Sequence, residues 1–257
     1  MEDRVFAKPQ DRIVDFAFNS DVVDVFPDMI RRSVPGYELV IPMSGLMAAR
    51  HMGVAGTAFD LGCSLGASSL ALLAQCDSSR VRVVGIDASP AMIAQAEQNI
   101  SDPRMSFRCE DILTSDISGA SVVMLNFVVQ FLEPAHRLAL LTRIAEQMDP
   151  TGLLILSEKI RNADPQLQTF YDTTHMAWKR ANGYSELEVS QKRQALENVM
   201  QVETFETHAE RLTKAGFKHV VQWFHCMNWV SFAASPTKVL CDASDDPSDD
   251  SNDDPSK

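Results

Sequence analysis

From Thr57 onward, short runs of β-branched and aliphatic residues alternate with longer runs of helical periodicity, and no other feature restricts the fold as much. Five of the short runs are expected to be strands, over 57–61, 81–86, 105–109, 122–125 and 153–156. Helical patterns over 64–74, 90–99 and 134–147 lie between them, the second opened by Ser89 as N-cap and Pro90 at the first helical position. A helix between successive strands is what parallel pairing requires, since the chain must cross back over the sheet before the next strand can run the same way. Two further runs, 219–224 and 228–232, have only a few residues between them. That is too short for a crossover, so they are expected to pair antiparallel. The chain therefore reads as α/β, a doubly wound, seven-stranded, mostly parallel sheet with an antiparallel terminal strand.

The segments outside this alternation are helical. Asn19-Ser20 cap a run carrying Val22, Val25, Phe26, Met29 and Ile30, which Pro35-Gly36 ends. From Tyr37 to His51, Leu39, Met43, Leu46, Met47 and Arg50 share a face, with Pro42 expected to kink the helix. Between the fifth strand and the hairpin lies a helical insertion, in which Ser185 and Glu188 form a capping box that opens the helix carrying Gln191, Lys192 and Arg193. The expected organisation is a helical cap over 1–55, the sheet core over 56–160, the insertion over 161–216, a hairpin over 217–236 completing the core, and an acidic tail over 237–257.

Within that tail, Asp242 to Lys257 carry seven Asp and one Lys, half of the chain's formal net charge of −12. Such a stretch has almost no apolar surface to set against its conformational entropy, and it is expected to be disordered. The remainder has no basic stripe, which argues against direct nucleic-acid contact, where Lys and Arg must displace counterions from phosphates. Cys63, Cys76, Cys109, Cys226 and Cys241 are odd in number and form no C-x-x-C pair, and no His stands near them at ligand spacing. Reduced thiols in the cytoplasm, and no metal site, are expected. No apolar run reaches the length of a signal peptide or a membrane span, so no membrane partner is expected.

The loop after the first strand, Asp60-Leu61-Gly62-Cys63-Ser64-Leu65-Gly66, fits two chemistries. As G-x-S-x-G it is the turn that exposes a hydrolase serine. As D-x-G-x-S-x-G it is a loop of small residues through which backbone approaches a nucleoside. A nucleophile at Ser64 would need a glycine-rich oxyanion loop upstream, and only helices precede it. Of the histidines, His208 and His219 come late enough for a triad, but each reads better as a core or surface residue. The nucleoside alternative demands an acid at the end of the second strand to accept ribose hydroxyls, and Asp87 stands there, although a turn Asp before the helix at Pro90 would look the same. After the third strand, Glu110-Asp111-Ile112 could reach an adenine amino group, and Leu125-Asn126-Phe127 ends the fourth. All four loops follow carboxyl ends of parallel strands, where open α/β sheets bind ligands. With the terminal hairpin, this pattern looks like the Rossmann-like fold of S-adenosylmethionine-dependent methyltransferases.

The stretches VFPDMIRRSVPGY, FDLGCSLG, DASPAMI, LNFVVQFLEP, LSEK and above all KRANGYSELEVSQKRQALENVM resemble the carboxy-S-adenosyl-L-methionine synthase family, over about 15–232. The resemblance implies an enzyme that uses prephenate to carboxylate the methyl group of S-adenosyl-L-methionine, releasing phenylpyruvate. Its product, carboxy-S-adenosyl-L-methionine, would serve a carboxymethyltransferase that modifies wobble uridine in tRNA. By matching motif, the implied ligand contacts are Tyr37, Gly62, Cys63, Ser64, Asp87, Ala88, Asp111, Ile112, Asn126 and Arg193. The last would reach into the neighbouring subunit of a homodimer. Ala88 stands where some members carry a polar residue, and Pro42 interrupts a helix expected to be continuous. A guanidinium suits the product, whose new carboxylate would be costly to bury unpaired. No catalytic acid–base pair is apparent, as expected if prephenate supplies both carbon dioxide and the base. An ordinary methyltransferase with a small acceptor would share every cofactor contact, and a catalytically silent S-adenosylmethionine-binding subunit is a third possibility. The apolar Val189 and Leu196 point to a partly buried face around Arg193, Glu197 is a possible exposed partner for it, and Glu188 one turn before Lys192 is the expected partner of that lysine. Trp178, Trp223 and Trp229 are expected to pack in the core.

Overall fold

The computed structural model of the chain describes residues 1–8, 16, 18–197 and 199–237. The reading of Asp242–Lys257 as a disordered tail, and Cys241, lie outside the described residues. The chain enters through three helices, α1 (Ser20–Val23), α2 (Phe26–Ser33) and α3 (Tyr37–Met52). It continues as β1 (Gly56–Leu61), α4 (Ala67–Leu73), β2 (Val81–Asp87), α5 (Pro90–Asn99), β3 (Met105–Cys109) and β4 (Ala120–Asn126). A 3-10 turn over Val129–Phe131 leads to α6 (Pro134–Gln147), β5 (Met148–Arg161), α7 (Pro165–Ala181) and α8 (Glu186–Glu197). The last elements are β6 (Glu203–Thr204), α9 (Phe205–Lys214), β7 (His219–Cys226) and β8 (Trp229–Ser235).

The strands form one sheet in the order β3-β2-β1-β4-β5-β8-β7, with the two-residue β6 beside β5. Pairing is parallel from β3 to β5, and β8 runs antiparallel to both β5 and β7. The seven-stranded, mostly parallel sheet with its antiparallel final strand is thus present, with β6 as an addition. The order reverses between β1 and β4, and that switch point opens the crevice where α/β sheets take ligands.

Alternation along the strands explains why they read as continuous apolar runs. Phe59, Leu61, Val123, Leu125, Leu154 and Leu156 pack on one face with Leu140, Leu141 and Ile144 of α6 and Leu212 of α9. Ala58, Val122, Met124, Leu153 and Ile155 pack on the other with Ala48, Ala49 and Met52 of α3 and Leu72 and Leu73 of α4. Successive side chains point to opposite faces and both faces are covered, so consecutive positions such as 122–125 and 153–156 are all apolar. Several boundaries differ from the expected ones, β5 beginning at Met148 rather than Leu153 and β8 ending at Ser235 rather than Phe232 among them, and two differences have a visible local cause. The helix after β1 begins at Ala67 rather than Ser64, because Ser64 and Gly66 hold positive φ angles of 50° and 80° that no α-helix accommodates. The fifth strand runs to Arg161 rather than Leu156, its polar residues Ser157, Glu158 and Lys159 pairing with Ser231, Val230 and Trp229 of β8. The helix with Pro42 is assigned without a break from Tyr37 to Met52.

Candidate functional site

At the carboxyl ends of β1, β2 and β4 lies a cavity of about 590 Å³, covered by residues of α2, α3, α7 and α8. Gly62 starts its floor: its N–H and that of Cys63 donate to the Ile86 carbonyl at 2.7 and 3.0 Å, tying the loop to β2. Gly62 has φ 72°, and a Cβ there would come within 2.6 Å of Val128. Only glycine meets both demands. The Cys63 thiol is buried, which pushes its pKa up, and the sulfur packs where a Cβ on Gly85 would meet it. Beneath the loop, the buried Asp60 accepts the Ser69 N–H at 3.1 Å and the Ser69 hydroxyl at 2.7 Å. Burial raises its carboxyl to about 6 against the pull of those bonds.

Asp87 holds the turn that its sequence position allowed and also faces the cavity. As a turn residue it accepts the Ser89 N–H at 2.8 Å through one carboxylate oxygen and the Ser64 N–H at 2.9 Å through the other. It also lines the cavity, and a carboxylate has roughly four acceptor sites, so capacity remains for a ligand. Burial shifts its pKa upward while the two backbone N–H groups oppose the shift. The Ser64 hydroxyl donates to the Met92 sulfur at 3.4 Å. Of the two late histidines, His208 is buried beside Phe232 with its pKa lowered to about 4 by desolvation, and His219 opens β7, so neither is in the cavity wall.

The remaining walls come from other strand ends. Asp111 accepts the Leu113 N–H at 2.9 Å and, with Ala88 and the buried Ile112, faces the cavity, whereas Glu110 is outside its wall. Asn126 donates to the Ser68 hydroxyl at 3.0 Å and accepts from the Ser157 hydroxyl at 2.7 Å, which fixes its amide. Phe127 turns the chain after β4 with φ 65°, an unusual value for a bulky residue, and its ring lies 6.0 Å from that of Tyr37. Desolvation, with a smaller contribution from Asp60, holds the Tyr37 phenol above its ordinary pKa.

Arg193 is separate. It is exposed and lines a smaller adjoining cavity of about 240 Å³ whose wall shares Lys159, His175 and Lys179 with the large one. Val189 beside it is buried as expected, while the Glu197 side chain lies outside the described residues. The expected Lys192–Glu188 pair does not form. Glu188 instead accepts the Ser185 N–H and hydroxyl, both at 2.7 Å, which is the capping box. Lys192 is buried and donates to the Ser33 hydroxyl at 2.8 Å and to Asp3 at 3.4 Å. Sequence reading missed Lys159, His175 and Lys179 as cavity residues; the four-residue spacing of the last two on one helix face was the available signal. Trp229, expected in the core, is buried but also forms cavity wall, whereas Trp178 is only half-buried. Among the described residues no three His, Cys, Asp or Glu side chains converge as a metal set, and no helix is long and apolar enough to cross a membrane.

A family model described as a methyltransferase domain matches residues 58–152. Carboxy-S-adenosyl-L-methionine synthase of Pseudomonas entomophila is 48% identical over 242 residues, covering 91% of this chain and 98% of the relative. The protein of that name from Shewanella denitrificans is 46% identical over 237 residues, with the same coverage of 91% and 98%. Among solved structures, human N-acetylserotonin methyltransferase in complex with SAM matches with a TM-score of 0.58 at 16% identity, over 85% of this chain and 56% of that one. The N-methyltransferase NodS of Bradyrhizobium japonicum, in complex with S-adenosyl-L-homocysteine, matches with a TM-score of 0.52 at 18% identity, over 79% and 89%. These structural likenesses concern the fold alone.

Proposed function

The chain belongs to the carboxy-S-adenosyl-L-methionine synthase family, and from that premise we propose that it carboxylates the methyl group of S-adenosyl-L-methionine at the expense of prephenate. The observation that carries this reading is that nine of the ten positions matched to the family's ligand contacts line one cavity. Asp87 would accept the ribose hydroxyls, the Ile112 side chain would lie against adenine, and Asp111 would accept from its amino group. Tyr37 and Asn126 would bound the methionine end, and the Gly62-Cys63-Ser64 backbone would pass beneath it.

In the proposed reaction the prephenate ring becomes aromatic as it loses carbon dioxide and its ring hydroxyl. The departing hydroxide takes a proton from the sulfonium methyl group and becomes water. The electron pair left on that carbon attacks the carbon dioxide, giving the carboxylated product and phenylpyruvate. No side chain has to exchange a proton, so the protein's part is to align two ligands and keep bulk water out. Apolar residues such as Phe18, Phe26, Met29 and Phe131 in the wall suit that task. Arg193, exposed on its own subunit, is suited to reach the product carboxylate in the cavity of a homodimer partner. The product would pass to a tRNA-modifying carboxymethyltransferase in the cytoplasm, with no direct tRNA contact by this acidic chain.

The test is mass spectrometry of small molecules after incubating the protein with S-adenosyl-L-methionine and prephenate. A species heavier than S-adenosyl-L-methionine by one carbon dioxide, formed together with phenylpyruvate, is expected. S-adenosyl-L-homocysteine alone would instead indicate an ordinary methyltransferase, and no turnover a silent binding subunit. Ser64→Ala is expected to retain most of the wild-type kcat, since only the Ser64 backbone is assigned a role. Loss of turnover with ligand binding intact would restore the serine as a nucleophile.

A further inference from the structure

Buried charges among the described residues have partners except at Lys179, and the half-buried Lys159 beside it is in the same position. Among the described residues, Arg137 pairs with Glu203, Lys192 with Asp3, Asp60 bonds Ser69, and Glu158 accepts the N–H groups of Val129 and Gln130 at 2.8 and 2.9 Å. Lys179 is only 8% exposed and lines the large cavity, yet its ammonium has no hydrogen bond or ion pair to any described residue. Lys159 faces the same space, its ammonium 5.5 Å from the Trp229 ring centroid and likewise without a hydrogen bond or a carboxylate within ion-pair distance. A buried ammonium and a half-buried one facing the same space, neither with a carboxylate in ion-pair contact, are costly unless an anion arrives.

We infer that Lys159 and Lys179 form a dianion subsite that takes the two carboxylates of the second substrate. This rests on the reaction assigned above, for which prephenate is the dicarboxylate. Three features select this occupant. Lys159 stands near the carboxyl end of β5, three places along the sheet from Asp87 on β2, which is about 14 Å at the usual strand spacing. A ligand there lies beyond a nucleoside held at Asp87. The amino-acid end of S-adenosyl-L-methionine carries its own ammonium beside its carboxylate, so it cannot neutralise two lysines. A neutral methyl acceptor would leave both unpaired. His175, one turn before Lys179, is bonded through its ring nitrogen to the Ser33 carbonyl at 2.8 Å, and desolvation followed by the nearby lysines holds it neutral with a pKa of about 3. It shapes the subsite without adding charge.

Desolvation, then Lys192, Lys159 and Arg193, lowers Lys179 to about 7. Asp172 on α7 is the acidic group that opposes this field, acting on Lys159. The cationic form that binds an anion is therefore depleted as pH rises through that value.

The test compares wild type with Lys179→Met, Lys159→Met and Lys179→Arg. Each Met variant is expected to raise the KM for prephenate about 10- to 100-fold, as for loss of a charge-assisted hydrogen bond, while calorimetric affinity for S-adenosyl-L-methionine stays within about threefold. Lys179→Arg restores most of the affinity. In wild type kcat/KM for prephenate falls above pH about 7, and this fall is absent in Lys179→Arg. Without ligand, Lys179→Met melts no lower than wild type, because an unpaired buried charge has been removed. An unchanged prephenate KM, or an equal loss of S-adenosyl-L-methionine affinity, overturns the subsite, as does a lower melting temperature with wild-type kinetics. If wild type does not turn over prephenate, the assigned reaction fails. The subsite is then decided by titrating prephenate into protein loaded with S-adenosyl-L-homocysteine: binding that Lys179→Met abolishes upholds it, and no binding to wild type overturns it.

Discussion

Replacing Asp87 with alanine is expected to lower affinity for S-adenosyl-L-methionine by one to two orders of magnitude and to lower the melting temperature as well. The binding loss follows from deleting a half-buried carboxylate whose charge-assisted hydrogen bonds to ribose hydroxyls would be worth about 1.5–3 kcal/mol each. The stability loss has a separate origin. The same carboxylate accepts the N–H groups of Ser64 and Ser89, and without it both lose their acceptor. Leaving a buried donor unsatisfied costs about 1–3 kcal/mol. Because Ser64 already holds φ 50°, the loop has lost the contact that keeps it in that conformation. Asp87→Asn keeps an oxygen acceptor and should fall between wild type and Asp87→Ala in both measurements. Calorimetry with S-adenosyl-L-methionine and a thermal melt of each variant decide the matter. Lowered stability with unchanged affinity would reduce Asp87 to a turn residue and remove the ribose assignment.

Arg193→Ala is expected to weaken binding of carboxy-S-adenosyl-L-methionine by one to two orders of magnitude and that of S-adenosyl-L-methionine by much less, because only the former carries the extra carboxylate. The size of the effect depends on where the guanidinium works. On its own surface Arg193 is exposed, and a contact there would be screened to under about 1 kcal/mol. Inserted into a partner's cavity, where water is excluded, the same two parallel hydrogen bonds reach about 1.5–3 kcal/mol. The large, selective loss therefore goes with a dimer, and sedimentation at the concentration of the binding assay checks that link. Lysine at this position should rescue only part of the affinity, since it lacks the planar fork. Competition binding of both ligands to wild type and variant gives the answer. Equal losses for the two would refute the carboxylate role and favour an ordinary methyltransferase.

How far the sequence carried can be seen residue by residue. The cradle was legible because its signals are local. Gly62, Ser64 and Gly66 must follow a strand closely to make a tight loop, and Asp87 must end the next strand to stand beside it. The face alternation of Phe59 and Leu61 against Ala58, or Val123 and Leu125 against Val122 and Met124, is likewise a period-two pattern within a few residues. Where polar residues are buried for long-range reasons, that pattern fails. Ser157, Glu158 and Lys159 look like the end of β5, yet β8 pairs alongside all three and the strand continues. Lys192 looked satisfied by Glu188 one turn away, but the burial of its helix against the N-terminal segment gives it Asp3 and Ser33 instead.

The sequence by itself determined the βα alternation, the glycine loop, the acid at the end of β2 and the antiparallel hairpin, because each is written in the conformational preferences of neighbouring residues. Only the tertiary structure decided that β8 enters between β5 and β7, that Arg193 stays outside its own subunit's large cavity, and that Lys159 and Lys179 face one cavity with no ion-pair partner among the described residues. Those two lysines come from a strand and from a helix beyond it, and no periodicity links their positions. Their convergence follows from how α7 packs over the carboxyl edge of the sheet, and a missing counter-charge is a property of the space around a side chain.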